Sequence, residues 1–266
     1  MISTSPGGLV FLLLAGLVAG GVNAVAGGGS LLVFPALLAV GLPPLSANVT
    51  NSVAQWPGYV GNVAGNRAEL RGQRRRILMT SAVAAVGSGV GCVLLLTLPG
   101  AVFNAVVPIL VLLASALMAV SPQIKRWIGP PRPGPDALSP AEAHDGTAPD
   151  RVAVLLPTVF LAAVYGGYFG GALGVILIAT LSLCAHDTLV RLNALKGLLS
   201  LAVASVTVVV FSINAPVDWL AVALLAPTTL VGGFLGAKVA RRLPENVLRW
   251  SVVVLGFAVG SYLLIT

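Results

Sequence analysis

Apolar runs of two lengths follow one another along this chain, separated by short polar or glycine-rich breaks. In residues 7–120 they lie near 8–25, 30–42, 46–64, 77–97 and 101–120; in residues 152–265 they lie near 152–170, 174–185, 190–211, 218–237 and 247–265. A helix that crosses the ~30 Å hydrocarbon layer needs about 20 residues at ~1.5 Å each. The third, fourth and fifth runs of each set are long enough. The second run of each set, about 12–13 residues, is too short for a perpendicular crossing and reads as a half-helix. The first run is then a candidate for interruption too.

The two sets are copies. Displaced by 145 positions, Gly21 meets Gly166, Gly29 meets Gly174, Asn48 meets Asn193, Gly87 and Gly91 meet Gly232 and Gly236, and Leu98-Pro99 meets Leu243-Pro244. Apolar coincidences are cheap in such a chain, but Gly, Asn and Pro coincidences in one ungapped register are not. Residues 7–120 and 152–265 are therefore expected to be two homologous membrane repeats. Between them, 121–151 carries Pro130-Pro131-Arg132-Pro133-Gly134-Pro135 and no apolar period, and is expected to be an exposed, flexible linker.

Composition fixes the solvent. Hydrophobic residues make up 57% of the chain and charged residues 9%, against ~25% charged in ordinary soluble domains. So few charges cannot cover a water-facing surface. A soluble enzyme, a disordered chain and a nucleic-acid-binding protein are excluded, and a multi-pass membrane protein in a bilayer is expected. No charged n-region precedes the run 9–18, and the repeat uses residues 21–29, so the first segment reads as a retained helix rather than a signal peptide.

Charge placement orients the repeats, because Lys and Arg accumulate in cytoplasmic loops. The 65–76 loop holds Arg67, Arg71, Arg74, Arg75 and Arg76; its mate, 212–218, holds only Asp218. Loop 98–100 is uncharged; its mate near 238–249 holds Lys238, Arg241, Arg242 and Arg249. The linker, with Lys125, Arg126, Arg132 and Arg151, is cytoplasmic by the same rule. Matching loops thus fall on opposite sides. The expected fold is all-α, with two inverted-topology repeats of about five helical segments each and short or broken half-helices near the midplane. Both termini are expected on the periplasmic or extracellular side of a bacterial inner membrane. Inverted repeats with discontinuous helices are the architecture of secondary transporters.

Two places carry candidate chemistry. The first is the pair of glycine breaks, Gly27-Gly28-Gly29-Ser30 and Gly170-Gly171-Ala172-Leu173-Gly174. A helix starting after such a break directs unpaired N–H groups and its positive dipole end back at it, which suits an anion. Close helix packing explains the individual glycines equally well. Gly87, Gly91, Gly232 and Gly236 lie inside full-length segments and read as packing faces. The second place is the start of the third segment of each half. On a helix, Asn48, Asn51, Ser52 and Gln55 share one face, as do Asn193, Lys196, Gly197 and Ser200. Lys196 is the mate of Asn51. An ammonium deep in the bilayer costs ~2.5–3.5 kcal/mol, and a bound anion would offset it; snorkelling to headgroups is the competing explanation. Arg191 is expected to reach the interface, paired with Asp187.

Other residues carry less. Tyr165, Tyr168 and Phe169 surround the second break and are candidates to line a path; Trp56, Trp127, Trp219 and Trp250 read as anchors or core. Cys92 and Cys184 lie in apolar runs with no metal spacing, and His144 and His186 belong to no ligand cluster. No catalytic group, metal site or cofactor is expected.

Gly20-Gly21 through Gly27-Gly28-Gly29-Ser30 and Pro35, then Ala47-Asn48-Val49-Thr50-Asn51-Ser52, resemble the sulfite exporter TauE/SafE family of bacterial membrane permeases. So do Tyr165 through Gly174, Leu192-Asn193-Ala194-Leu195-Lys196 and Gly232-Gly233-Phe234-Leu235-Gly236-Ala237-Lys238. The resemblance covers nearly the whole chain except 121–151. It implies export of a small inorganic or organic sulfur anion, such as sulfite or an organosulfonate. The substrate-binding candidates are Gly27, Gly28, Gly29, Asn48, Asn51, Ser52, Gln55, Gly170, Gly171, Gly174, Asn193, Lys196 and Ser200. An anion channel and a proton-coupled importer of another small anion remain alternatives. A membrane-embedded enzyme or assembly subunit lacks a nucleophile–base or metal constellation here. The oligomeric state is open, a homodimer included.

Overall fold

A computed structural model describes residues 6–128, 151–185, 187–239 and 245–265. The Pro-rich segment, His144, His186, and the side chains of Lys125, Arg126, Trp127, Arg132, Arg241 and Arg242 lie outside what is described. The described residues form ten α-helices: α1 Pro6–Val25, α2 Ser30–Ala39, α3 Pro44–Gly65, α4 Arg74–Thr97, α5 Gly100–Ile128, α6 Val152–Tyr168, α7 Leu173–Cys184, α8 Leu189–Asn214, α9 Trp219–Val239 and α10 Glu245–Ile265. A 3₁₀ turn, Arg67–Leu70, joins α3 to α4. No strand occurs among the described residues. Lipid offers the backbone no hydrogen bonds, so a spanning segment must satisfy them within itself, and a helix does.

Among the described residues five helices are long and apolar enough to cross a membrane: α1, α4, the Gly100–Gln123 part of α5, α8 and α9. The flanks of the chain behave as punctuation. Pro43-Pro44 starts α3, where the missing N–H is no loss; Leu98, extended before Pro99, ends α4; Thr188 caps α8 by accepting from the Arg191 N–H. α5 runs on through Ile128, so the segment expected to be linker from 121 begins as helix.

Both expected interruptions are present. α1 stops at Val25 and the 10-residue α2 begins at Ser30. α6 stops at Tyr168 and the 12-residue α7 begins at Leu173. Gly27 (φ +83°) and its repeat mate Ala172 (φ +55°) both take the left-handed conformation that turns the chain. At Gly27 a side chain is excluded twice over, by that φ and by Gly174, whose Cα would lie 2.6 Å from an added Cβ.

The halves pack on each other through matching elements. Gly16 faces Leu225 and Gly20 faces Thr229 and Gly233, so α1 and α9 run parallel. Gly87 faces Phe160 and Ala163 while Gly91 faces Val164 and Gly167, so α4 and α6, their counterparts, also run parallel. The self-matching pairs are antiparallel. On α3 and α8, Trp56 bonds Ser205 at 2.9 Å while Gly197 abuts Asn62. On α5 and α10, Leu112 meets Gly260 and Ser115 meets Gly256. The two exchanged pairs thus share one sense, and both self-matched pairs are antiparallel.

Apolar side chains face both ways. Leu12, Phe34, Phe103 and Phe211 fill the interior around α2, whereas Leu161, Val209, Ile213 and Val254 stand outward, as lipid-facing residues do. The inside is also unusually polar for its surroundings: Asn23, Asn48, Asn51, Gln55, Asn62, Lys196, Ser200 and Thr207 are buried. Basic side chains gather at one end. Arg76 and Arg191 pair with Asp187 at 2.8 and 3.0 Å. The Arg191 Nη2 donates to the Arg71 carbonyl, the Arg151 N–H to the Cys184 carbonyl, and Gly65 against Ala237 brings Lys238 level with the same end. Asp218 sits apart, its N–H on the Thr50 hydroxyl near the start of α3.

Candidate functional site

The two breaks cross at the centre. A Cβ on Gly174 would lie 2.5 Å from the Gly27 Cα, and the Gly174 N–H donates to the Gly27 carbonyl at 3.2 Å. The Gly29 N–H donates to Asn23 Oδ1 at 2.7 Å. Gly28 packs on Met118, Gly29 on the Ala19 carbonyl and Gly171 on the Phe169 ring. Two of the N–H groups expected to face an anion thus already have protein acceptors, and these glycines sit where helices or chain breaks approach closely.

Each polar stripe reaches across to the opposite half. The last carbonyls of a helix lack intrahelical donors and carry partial negative charge. At the end of α1, Lys196 Nζ donates to the Asn23 carbonyl at 3.4 Å and to the Ala24 carbonyl at 3.5 Å, and Asn193 Nδ2 to the Ala24 carbonyl at 3.3 Å. At the end of α6, Asn48 Nδ2 donates to the Tyr168 carbonyl at 3.0 Å. The repeat mates Asn48 and Asn193 therefore do the same job for exchanged partners. Lys196 is buried about 10 Å along α8 from its start, at ~1.5 Å per residue, with its ammonium turned to the α1 end rather than to the interface. Asn51 accepts on Oδ1 from Gln55 Nε2 at 3.1 Å.

A pocket lies between α3 and α8, closed at its edge by the second break. Ser30, Ser52, Gln55, Tyr59, Gly166, Phe169, Gly170, Leu173, Ser200, Val203, Ala204 and Thr207 line it. It admits only about 20 Å³ for the centres of water-sized groups, about one or two waters. One polar network feeds it. Asn23 Nδ2 donates to Gln55 Oε1 at 2.5 Å; Gln55 Nε2 donates on towards the Ser30 hydroxyl at 3.4 Å, and Tyr59 lines the same pocket. Ser52 Oγ donates to the Asn48 carbonyl and Thr207 Oγ1 to the Ala204 carbonyl. No carboxylate lines the pocket.

Of the residues proposed from sequence, Ser52, Gln55, Gly170 and Ser200 line this pocket. Asn48, Asn193 and Lys196 hold the helix ends beside it, Asn51 braces Gln55, and Gly27, Gly28, Gly29, Gly171 and Gly174 form the crossing. Sequence reasoning passed over Asn23, Tyr59 and Thr207, and named Ser30 only as the end of the first glycine break. Tyr59 and Thr207 continue the polar stripes by four and seven residues from Gln55 and Ser200, a signal that was there to follow. Asn23 is a lone amide in an apolar run, one turn before Gly27, and its mate is Tyr168; only the fold shows what it holds. Among the aromatics, Phe169 lines the pocket and stacks edge-on against Phe34, while the Tyr165 hydroxyl donates to the Gly171 carbonyl. Cys92 and Cys184 are buried free thiols. The described residues hold no cluster of metal-ligating side chains.

The sequence model of one family, described as sulfite exporter TauE/SafE, matches residues 12–263. A probable membrane transporter protein of Haemophilus influenzae is 23% identical over 94% of this chain and 91% of its own length. Another of that description from Sinorhizobium, ORF9, is 23% identical over 96% and 92%, and the probable membrane transporter protein YfcA of Escherichia coli is 26% identical over 98% and 91%. No solved structure matches.

Proposed function

We propose a function from one established premise: this chain belongs to the sulfite exporter TauE/SafE family, and it is a membrane transporter. The substrate in our reading is a small sulfur oxyanion, sulfite or an organosulfonate, carried outward across the bacterial inner membrane. The supporting observation is the network that ends in the pocket. A hydroxyl that accepts a hydrogen bond keeps its own proton to donate. Gln55 passes a donor to the Ser30 hydroxyl, which keeps its own O–H for a ligand, and no carboxylate lines the pocket to compete. That is the chemistry an oxyanion needs. Lys196 adds positive charge behind the α1 end.

In this reading the halves are inverted repeats, and the basic end that carries Arg67, Arg71, Arg74, Arg75, Arg76 and Arg191 is cytoplasmic. Both termini then face outward. A negative cytoplasm favours exit of an anion by ~2.3 kcal/mol per charge per 100 mV. The narrow pocket favours a carrier, which must rearrange to pass its substrate, over an open anion channel. Rocking of one repeat against the other about the crossing of the breaks is the motion this architecture allows.

The test is a thermal-shift screen of purified protein against sulfite, organosulfonates, thiosulfate, sulfate and unrelated anions, followed by flux in proteoliposomes. A ligand bound only by the folded state raises the melting temperature. The expected result is a rise with sulfite or a sulfonate that unrelated anions do not give, and efflux that speeds up when the vesicle interior is made negative. The same melting temperature in every sulfur oxyanion would remove the substrate assignment.

A further inference from the structure

The two helix ends that the polar stripes hold are not treated alike. At the end of α1, an ammonium is supplied by the chain itself: Lys196 Nζ lies 3.4 Å from the Asn23 carbonyl and 3.5 Å from that of Ala24. At the end of α6 the residue in the corresponding register is Asn51, and its neighbour Asn48 donates to the Tyr168 carbonyl at 3.0 Å. The charge that the first end receives is missing from the sequence at the second.

A second observation points to what fills that role. Asn48 is 0% exposed, and its Oδ1 has no hydrogen-bond partner. The amide cannot be turned over to cure this, because Oδ1 would then face the Tyr168 carbonyl oxygen, acceptor against acceptor. Since its own Nδ2 contacts that carbonyl, the orphaned oxygen is held within a few ångströms of it. Asn51 Oδ1, one turn along, accepts only from Gln55 Nε2 at 3.1 Å and keeps a lone pair. A buried acceptor left without a donor costs about 1–3 kcal/mol. Oxygens from unwound chain and from half-helix C-terminal ends are how interrupted membrane helices coordinate small cations.

We propose that Asn48 Oδ1, the Tyr168 carbonyl and Asn51 Oδ1 form a site for a small monovalent metal cation, which does at the end of α6 what the Lys196 ammonium does at the end of α1. The site is all oxygen and uncharged, so it selects a cation that sheds water readily rather than a divalent ion. It stands whichever anion is carried, and it makes the second break the place where a coupling ion acts on the fold.

The experiment uses the purified full chain in detergent, in chloride salts of sodium, potassium and N-methylglucamine at one ionic strength and with no sulfur oxyanion. Sodium at about ten times its dissociation constant should raise the melting temperature by about 3–6 °C over N-methylglucamine; the potassium arm tells which metal cation the site prefers. Asn51→Lys tethers an ammonium in the register of Lys196. It should melt no lower than the wild type in sodium, and it should lose the sodium response. Asn48→Ala removes the orphaned oxygen and should lose the response too. A wild type that melts at the same temperature in all three salts overturns the proposal. So does a sodium response that survives in both variants. Should either variant fail to fold, the wild-type series decides alone.

Discussion

The break after α1 and the break after α6 have one geometry and two chemistries. Both stop a helix short, both turn through a left-handed residue (Gly27 or Ala172), and both receive an amide from the opposite half. At the first, Asn193 and Lys196 bring a permanent charge, and Asn23 adds a side chain that ties the start of α2 and braces Gln55. At the second, Asn48 brings no charge, and Tyr168 takes the place of Asn23. The first break is tied by Asn23, Asn193 and Lys196; the second is tied by Asn48 and by the Tyr165 hydroxyl on the Gly171 carbonyl, and it lies against the pocket through Phe169, Gly170 and Leu173. In the register that aligns the halves, the two ends differ at Asn51/Lys196 and Asn23/Tyr168, and those differences put the Lys196 ammonium on the first end where the second has an Asn51 amide in the same register.

The largest effect should come from breaking the crossing that both share. Gly174→Leu drives a side chain into the Gly27 backbone, where even a Cβ would meet the Gly27 Cα at 2.5 Å. Overpacking of that kind costs ~3 kcal/mol or more. Little monodisperse protein should survive solubilisation, as size-exclusion chromatography reads; a normal profile would mean the breaks do not cross as described.

Exchanging the anchors sharpens the comparison. Lys196→Met keeps the volume but takes the charge from the Asn23 and Ala24 carbonyls. A hydrogen bond to a charged group is worth ~1.5–3 kcal/mol, so the melting temperature should fall by several degrees, and any sulfite-induced shift should shrink with it. Asn193→Ala loses one neutral bond at the same end and should cost less, ~0.5–1.5 kcal/mol. Equal losses for the two would deny Lys196 its special place.

The smallest effect belongs to the pocket itself. Ser30→Ala and Ser200→Ala remove one pocket hydroxyl each, one from each half, with little effect on stability. Each should weaken oxyanion affinity by about 3–10-fold, in line with ~0.5–1.5 kcal/mol per bond, as titrated thermal shifts would show. Unaltered affinity in both would move the substrate out of this pocket.

How much of this was legible depends on the kind of signal. The lengths of the apolar runs gave the ten helices, and the short second runs gave α2 and α7, because helix length in lipid is set by a thickness. The register of Gly29 with Gly174 and Asn48 with Asn193 pointed to duplication, and the glycine runs to both breaks. The partners of the polar stripes were not legible. Asn48 and Lys196 looked like ligands for a substrate, yet their contacts are with carbonyls of Tyr168, Asn23 and Ala24, residues more than a hundred positions away. Backbone carbonyls leave no mark in a sequence.

The sequence by itself thus determined the solvent of this protein, its helices and the points where two of those helices stop. Periodicity, length and charge are local properties of a chain in lipid, and they survive without knowledge of neighbours. Only the tertiary structure decided which groups at those stops are spent on each other and which remain open. That depends on antiparallel packing of α3 against α8, which sets Gln55 and Ser200 around one pocket and turns Lys196 toward the end of α1. A buried polar atom gets its meaning from the partner it meets, and the partner comes from the other half of the chain.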